Sequence, residues 1–499
     1  MSYVLGLDLG TSGLKGLLVN KQGEVVCSAT ANYSIETPQS GFSEQDPENW
    51  IKAAEKVLAE LIKEQPDILE YLEGISFSGQ MHSLVVLNKE KQILRNAILW
   101  NDVRTTEQCQ QISEIMGDEL LEITKNAPLE GFTLPKILWL QENEPELWQE
   151  VEHMLLPKDY LGFWMTDTIH MDYSDAAGTL LLDVEGRGWS WKIVDIFGIK
   201  REMLAELVHS GQQIGVLKKE LCHHFGFKNE VRIFAGGADN ACAAIGAGVI
   251  DEGLGMCSIG TSGVFLSFEK ESKVTYAGNL HVFNHVLNNS WYSMGVTLAA
   301  GHSLAWFKEN FAEESSYEEM LKGIDAIEPG SEGLLFSPYI VGERTPYADS
   351  QIRGSFIGLD ANHTLKHLAK AVLEGITFSL KDSQQLMEQI AHKKFTKIVS
   401  VGGGAKNRDW LQIQADVFNT KVVNLEVEQG PGLGAAMIAA VGCQWFEDIQ
   451  KCSDVFVKYQ EEFEPNIDNV EKYKEIYQIY TEVYAATKGI CYRLAKRRG

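Results

Sequence analysis

No run of apolar residues in this 499-residue chain approaches the roughly 18 that a membrane-spanning helix needs, so an integral membrane protein is not expected. The opening MSYVLGLDLG lacks the basic n-region, long apolar stretch and small-residue cleavage site of a secretion signal. No Pro-, Gly- or Ser-rich tract reads as an unfolded linker. The eight cysteines (Cys27, Cys109, Cys222, Cys242, Cys257, Cys443, Cys452 and Cys491) are scattered without a CxxC pair, so reduced thiols in a cytoplasmic protein are the expectation. Transition-metal catalysis finds little support either. Cys222 with His223 and His224, and His281 with His285, are the close groupings, and neither supplies a ligand set.

Positive charge is scarce as well. Against 69 Asp and Glu stand 44 Lys and Arg, a formal net charge of -25, which opposes nonspecific capture by nucleic acid or anionic lipid. No nucleic-acid or membrane partner is therefore expected. An anionic cosubstrate can still bind where backbone N–H groups or a metal ion offset the field locally. Two nucleotide motifs are missing: there is no GxxxxGK[ST] segment and no clean GxGxxG after an opening strand, which weakens P-loop and dinucleotide-binding readings.

What is present points to two related domains. A chain of this length with 44% hydrophobic residues exceeds what one compact core usually organises. Its first residues read as a strand from Tyr3, the turn Gly10-Thr11-Ser12-Gly13, and a second strand to Val19. The same tetrapeptide returns as Gly260-Thr261-Ser262-Gly263, again between apolar runs. That echo suggests two copies of one architectural unit, with a boundary near Gly246 in the Gly/Ala-rich stretch Ala243 to Gly248. The expected division is residues 1–246 and 247–499.

The turns carry chemistry. Glycine lets backbone approach an anion, and Thr and Ser add hydroxyl donors beside exposed N–H groups, so paired hairpins can hold phosphate from two sides. Asp8, closing the first strand, suits a hard Mg2+ ion held through water, or a turn cap. Phe395 to Val401 reads as a strand, followed by Gly402-Gly403-Gly404-Ala405-Lys406-Asn407 and a helix from Arg408, a strand-to-helix turn where N–H groups can meet a nucleotide. Glu428 to Ala436 supplies small residues that let a helix pack closely on a neighbour.

With these pieces in order, the chain resembles the FGGY carbohydrate kinases, of the actin and Hsp70-like ATPase superfamily, along nearly its whole length. Gly131 to Asn143 is similar to the first family signature, and Gly354 to Leu359 continuing to His367–Glu374 is similar to the second. Gln80-Met81-His82, Ala97 to Asp102 and Gly236-Gly237-Ala238-Asp239-Asn240 look most like the branch acting on D-xylulose, whereas glycerol-phosphorylating members carry Arg-Glu where this chain has Met81-His82. That branch usually has Gly after the Met-His pair. Here it is Ser83.

The resemblance implies an α/β fold with two ribonuclease-H-like domains flanking a central cleft, and ATP with Mg2+ as cofactors. Asp8, Thr11 and Ser12 would serve metal and phosphate, Gly260, Thr261 and Ser262 would serve phosphate, and Gly403, Gly404 and Asn407 would line the nucleotide site. Gln80, Met81, His82 and Asn240 would face the sugar, and Trp100 could stack on its carbon face, a core tryptophan being the plainer reading. Asp239 would be the catalytic base. Local sequence fits a helix N-cap equally well there, and an Asp near its ordinary pKa of about 3.9 is a weak base. Arg104, Lys15 and Lys136 are left unassigned. The expected activity is ATP-dependent phosphorylation of D-xylulose to D-xylulose 5-phosphate in xylose catabolism, with assembly as a homodimer left open. The alternatives are another acceptor within the family, such as gluconate, ribulose, a deoxyketose or glycerol, or a nonenzymatic actin-like or Hsp70-like ATP-binding protein.

Overall fold

The structure is a computed structural model and describes residues 2–497. The opening strand, Tyr3–Leu9, is buried along nearly its whole length, as a strand covered on both faces must be. On one face of its sheet, against strands Gly13–Asn20 and Val25–Asn32, lies helix Pro47–Glu64. It starts where the Asp46 side chain accepts from the Glu48 N–H and Pro47 supplies a preset φ. Its buried Trp50, Ala54, Val57, Leu58 and Leu61 recur at helical spacing.

Among the described residues there are two seven-stranded sheets of matching plan. In the first, the order is Gln213–Val216, Arg232–Phe234, Leu72–Gly79, Tyr3–Leu9, Gly13–Asn20 and Val25–Asn32, with Gly237–Ala238 also pairing Leu72–Gly79. In the second, Tyr459–Phe463, Val422–Leu425, Lys397–Gly402, Leu254–Ile259, Gly263–Glu269 and Trp291–Thr297 take the corresponding places, and His281–Asn284 adds an outer strand. Each opening strand pairs antiparallel with the next strand and parallel with a much later one. This is the ribonuclease-H-like duplication that the resemblance implies. The repeated tetrapeptides join equivalent strands but differ by one residue in register: Leu9 faces Leu14, whereas Ile259 faces Gly263.

The halves share a packing element. Helix Pro431–Gly442 follows a strand of the second sheet yet lies on the first half, against strand Tyr3–Leu9 and helix Asp239–Gly246. Its small residues make this possible. A Cβ on Gly6 would overlap the carbonyl of Gly432, and one on Gly434 would overlap the carbonyl of Cys242. One hydrophobic cluster therefore runs from Leu5 and Leu7 through Ala244 into Ala436 and Met437, while a second, around Phe265, Ile376 and Trp410, stays within the second half.

This close approach has a measurable cost when it is filled. Gly434→Ala is expected to destabilise the protein by about 1–3 kcal/mol in urea unfolding through overpacking. Gly489→Ala, on helix Ile467–Ala495 with open space around it, should be neutral or stabilising by up to about 1 kcal/mol. Equal effects at the two positions would contradict the packing described.

Candidate active site

The first half brings two acids to one place through strand register. Strand Leu72–Gly79 lies parallel to Tyr3–Leu9 on one side, with Asp8 opposite Ser78, and to Gly237–Ala238 on the other, with Gly237 opposite Ser78. Asp8 and Asp239 thus flank the carboxyl end of a shared parallel strand, two inter-strand steps of about 4.8 Å apart. Carboxyl ends of parallel strands are where α/β sheets bind ligands.

Helix Asp239–Gly246 is capped by Ala238, and Asp239 is its first residue. Its Oδ1 accepts from the Asn240 backbone N–H (2.6 Å) and from Asn240 Nδ2 (2.9 Å), so Asp239 is not the N-cap that local sequence also allowed. Burial, and then the charge of Asp8, push the Asp239 carboxyl up to about 7. Asp8 is pushed up by burial to about 6, with Lys15 opposing the rise. Among the described residues neither carboxylate forms an ion pair. Two acids held together without a cation fit a hard divalent ion arriving with a nucleotide.

Strand Leu72–Gly79 runs directly into Gln80, Met81 and His82. The Gln80 N–H donates to the Leu9 carbonyl (2.9 Å), tying the segment to the end of the opening strand. Met81 is buried and its sulfur accepts from the Tyr292 hydroxyl of the second half (3.6 Å). His82 has a left-handed backbone, φ 68, and its Nδ1 lies 2.6 Å from the Gly178 carbonyl. A carbonyl only accepts, so Nδ1 carries the proton. Burial pushes the His82 pKa down to about 3, with the charges of Lys136 and Arg344 adding to the fall. The ring is therefore neutral and Nε2 remains an acceptor.

Ser83 replaces the usual Gly with a buried hydroxyl that accepts from the Trp100 N–H (3.0 Å) and donates to Gln80 Oε1 (3.3 Å). Trp100 is not a core residue. It is 40% exposed, and its indole donates to Thr11 Oγ1 (2.9 Å), which links the Gln80–Ser83 segment, through Ser83, to the first Gly-Thr-Ser turn.

In the second half, a cavity of about 950 Å³ is lined by Gly260, Thr261, Gly403, Gly404 and Asn407. Ser262 is exposed beside it but does not line it. Thr11 is half-buried and Ser12 exposed on the first half's turn. Gly402 has φ 82, and a Cβ there would meet the Ile259 carbonyl, so the strand-to-helix turn folds tightly over strand Leu254–Ile259. Asn407 also caps the following helix, accepting from the Trp410 N–H (2.8 Å).

Sequence reasoning missed several cavity residues, among them His302, Tyr317, Glu318 and Lys406. His302 had a local signal: it follows the small-residue run Ala299-Ala300-Gly301, a strand-to-helix turn whose Gly301 and His302 N–H groups donate to Gly260 and Thr261. The unassigned cations are structural. Arg104 pairs with Asp102 and Glu44 (2.7 Å each), Lys136 donates to the carbonyls of Glu130, Gly131 and Phe132, and Lys15 donates to Gln429 of the second half (3.1 Å). His281 and His285 are buried and their pKa values pushed down to about 3. All eight cysteines, which lie among the described residues, are free thiols. No helix among the described residues is long and apolar enough to cross a membrane.

Two acids at one sheet's strand ends and a glycine-lined cavity at the corresponding strand ends of the other fit a two-domain phosphotransferase. Residues 3–246 match the FGGY family of carbohydrate kinases, N-terminal domain, and residues 255–443 match its C-terminal domain; the chain belongs to this family. It is 55% identical over 497 residues to the xylulose kinase of Lactococcus lactis subsp. lactis (strain IL1403), covering 99% of each chain. It is 50% identical over 490 residues to that of Bacillus subtilis (strain 168), covering 98% of each. The crystal structure of a xyloylose kinase from Brucella ovis superposes with a TM-score of 0.91 at 33% identity, covering 97% of this chain and 99% of that one.

The raised acids also set a stability trend. The folded chain holds protons on Asp8 and Asp239 up to about pH 6 and 7, whereas the unfolded chain releases them near pH ~4. Their contribution to stability is therefore full below that unfolded value and lost as pH rises through 6 and 7. Asp239→Asn should raise the ligand-free Tm relative to the parent more at pH 8 than at pH 5. An equal difference at both pH values would show that Asp239 is not held in its raised state.

Proposed function

We propose that this chain transfers the terminal phosphoryl group of ATP to a hydroxyl of D-xylulose, giving D-xylulose 5-phosphate. The observation that carries the sugar assignment is near-full-length identity of 50–55% to two relatives named xylulose kinase. The chain's own Met81-His82 pair beside Asp239 supports it.

The reaction asks mainly for positioning and charge neutralisation. His82, neutral with Nε2 free to accept, orients a sugar hydroxyl, while Met81 and Trp100 supply apolar surface and Asn240 and Gln80 polar contacts. Asp239 accepts the proton of the attacking hydroxyl as the oxygen–phosphorus bond forms and the bond from phosphorus to the β–γ bridging oxygen breaks. ADP leaves with that oxygen. A carboxyl raised to about 7 is a far better match for this than an ordinary aspartate. Mg2+ arriving with ATP would supply charge neutralisation at the phosphates, and Asp8 is the residue that would hold it. The paired turns, Thr11 and Ser12 on one side and Gly260, Thr261 and Ser262 on the other, hold phosphate, with Gly403, Gly404 and Asn407 at the rest of the nucleotide.

A coupled ADP-release assay over D-xylulose, D-ribulose, gluconate and glycerol tests the substrate. D-Xylulose should lead in kcat/KM by about tenfold or more; an equal lead for another acceptor overturns the assignment, and ATP hydrolysis that no sugar stimulates overturns the kinase reading. Asp239→Asn should lower kcat by about 10²–10⁴ with sugar affinity retained. In the parent, kcat/KM for sugar should rise with pH through about 7. A pH-independent profile between 5 and 8 would remove Asp239 as the titrating base.

A further inference from the structure

A buried charge cluster lies behind the proposed base. Lys158 Nζ contacts Asp159 (2.5 Å), Asp172 (2.8 Å) and Asp175 (3.2 Å), all four side chains fully buried. Three acids around one Lys are a poor way to gain stability, because desolvation offsets most of the attraction. Burial pushes the Asp175 carboxyl well up from the usual range, which sheds part of the excess charge. Lys158 already occupies the place a metal ion would take among these acids.

What the cluster does hold is geometry. Asp172 Oδ2 accepts from the hydroxyls of Ser174 (2.5 Å) and Ser210 (2.8 Å) and from the Ser174 N–H (2.9 Å). With its proton committed to Asp172, Ser174 Oγ accepts from the N–H of Ala238 (2.9 Å), the residue preceding Asp239. At the far end of the short helix Tyr173–Ala177, the Gly178 carbonyl accepts from His82. Lys158 itself is wedged against the chain, since a Cβ on Gly79 would meet its Cβ at 2.8 Å. One five-residue helix, anchored at Asp172, therefore grips the strand end that carries Asp239 and the ring of His82 at once.

We propose that Ser174, anchored through Asp172 on Lys158, is a positioning residue for the proton-accepting carboxylate of Asp239. It touches no reacting atom. It fixes the Ala238 N–H and with it the start of helix Asp239–Gly246, and a chain of buried hydrogen bonds holds such a position more narrowly than packing alone. The inference rests on the reading of Asp239 as the base.

The test compares Ser174→Ala, Ser174→Thr, Asp172→Asn and Asp239→Asn in the full chain, with kcat, KM for ATP, D-xylulose Kd by intrinsic fluorescence, and Tm. Ser174→Ala should lose about 10- to 100-fold in kcat, as an ångström-scale misplacement does, with Kd and KM for ATP within about threefold of the parent. Ser174→Thr, which keeps the hydroxyl, should recover most of the rate. Asp172→Asn keeps its shape and leaves Lys158 two acids, so it decides the matter if Ser174→Ala fails to fold; it too should lower kcat with Kd retained. Parent-like kcat in folded Ser174→Ala, or kcat, Kd and Tm falling together without rescue by Thr, overturns the positioning role. Normal turnover in Asp239→Asn would instead remove the base, a separate failure.

Discussion

The burial of Asp8 and Asp239 at neighbouring strand ends is the constraint on which the rest of the structure depends. Water would keep the two carboxylates ionised and apart. The first sheet instead fixes them on either side of strand Leu72–Gly79, without an ion pair among the described residues; burial raises the proton affinity of both, and the charge of Asp8 adds to the rise at Asp239. A site in that condition favours whatever brings positive charge to Asp8 and a proton to Asp239. A metal–nucleotide complex and a sugar hydroxyl bring those two things.

Holding such a pair takes architecture from both halves. Helix Pro431–Gly442 crosses onto the first sheet and closes over Gly6 and Leu17, so that a Cβ on Gly432 would lie 3.7 Å from Asp8 Cβ. The second half thereby supports the acid it faces. Side-chain bonds across the halves, Asn126 to the Val282 carbonyl (2.8 Å) and Trp291 to the Val184 carbonyl (2.8 Å), lie to one side. The duplicated plan gives each half its own strand-end site, with the two acids and the proposed sugar contacts in the first and the glycine-lined cavity in the second.

The repeated Gly-Thr-Ser-Gly turns, the strand-to-helix turn at Gly402–Asn407 and the small-residue helix after Gly430 were legible in sequence, because turn chemistry and close packing are local demands on residue type. The one-residue difference in register between the two hairpins was not, since identical tetrapeptides permit both pairings. Asp239 could be singled out by its surrounding motif, yet its ordinary pKa looked like a weakness. Its raised value comes from burial and from Asp8, which is 231 positions away in the chain. Trp100 read as either a core or a stacking residue, and only the fold shows it exposed and bonded to Thr11. Lys158, Asp172 and Ser174 gave no sequence signal, because what joins them to Ala238 is tertiary contact.

The protonation of the Asp239 carboxyl group, on which the proposed chemistry turns, can be read directly by 13C NMR of protein labelled at the aspartate side-chain carboxyl, titrated with and without Mg2+ and ADP. One resonance should titrate at about 7, be missing from Asp239→Asn, and move to lower pH when the metal and nucleotide offset the charge of Asp8. Aspartates that all titrate below pH ~5, or a set of resonances titrating near 7 from which Asp239→Asn removes none, would contradict it.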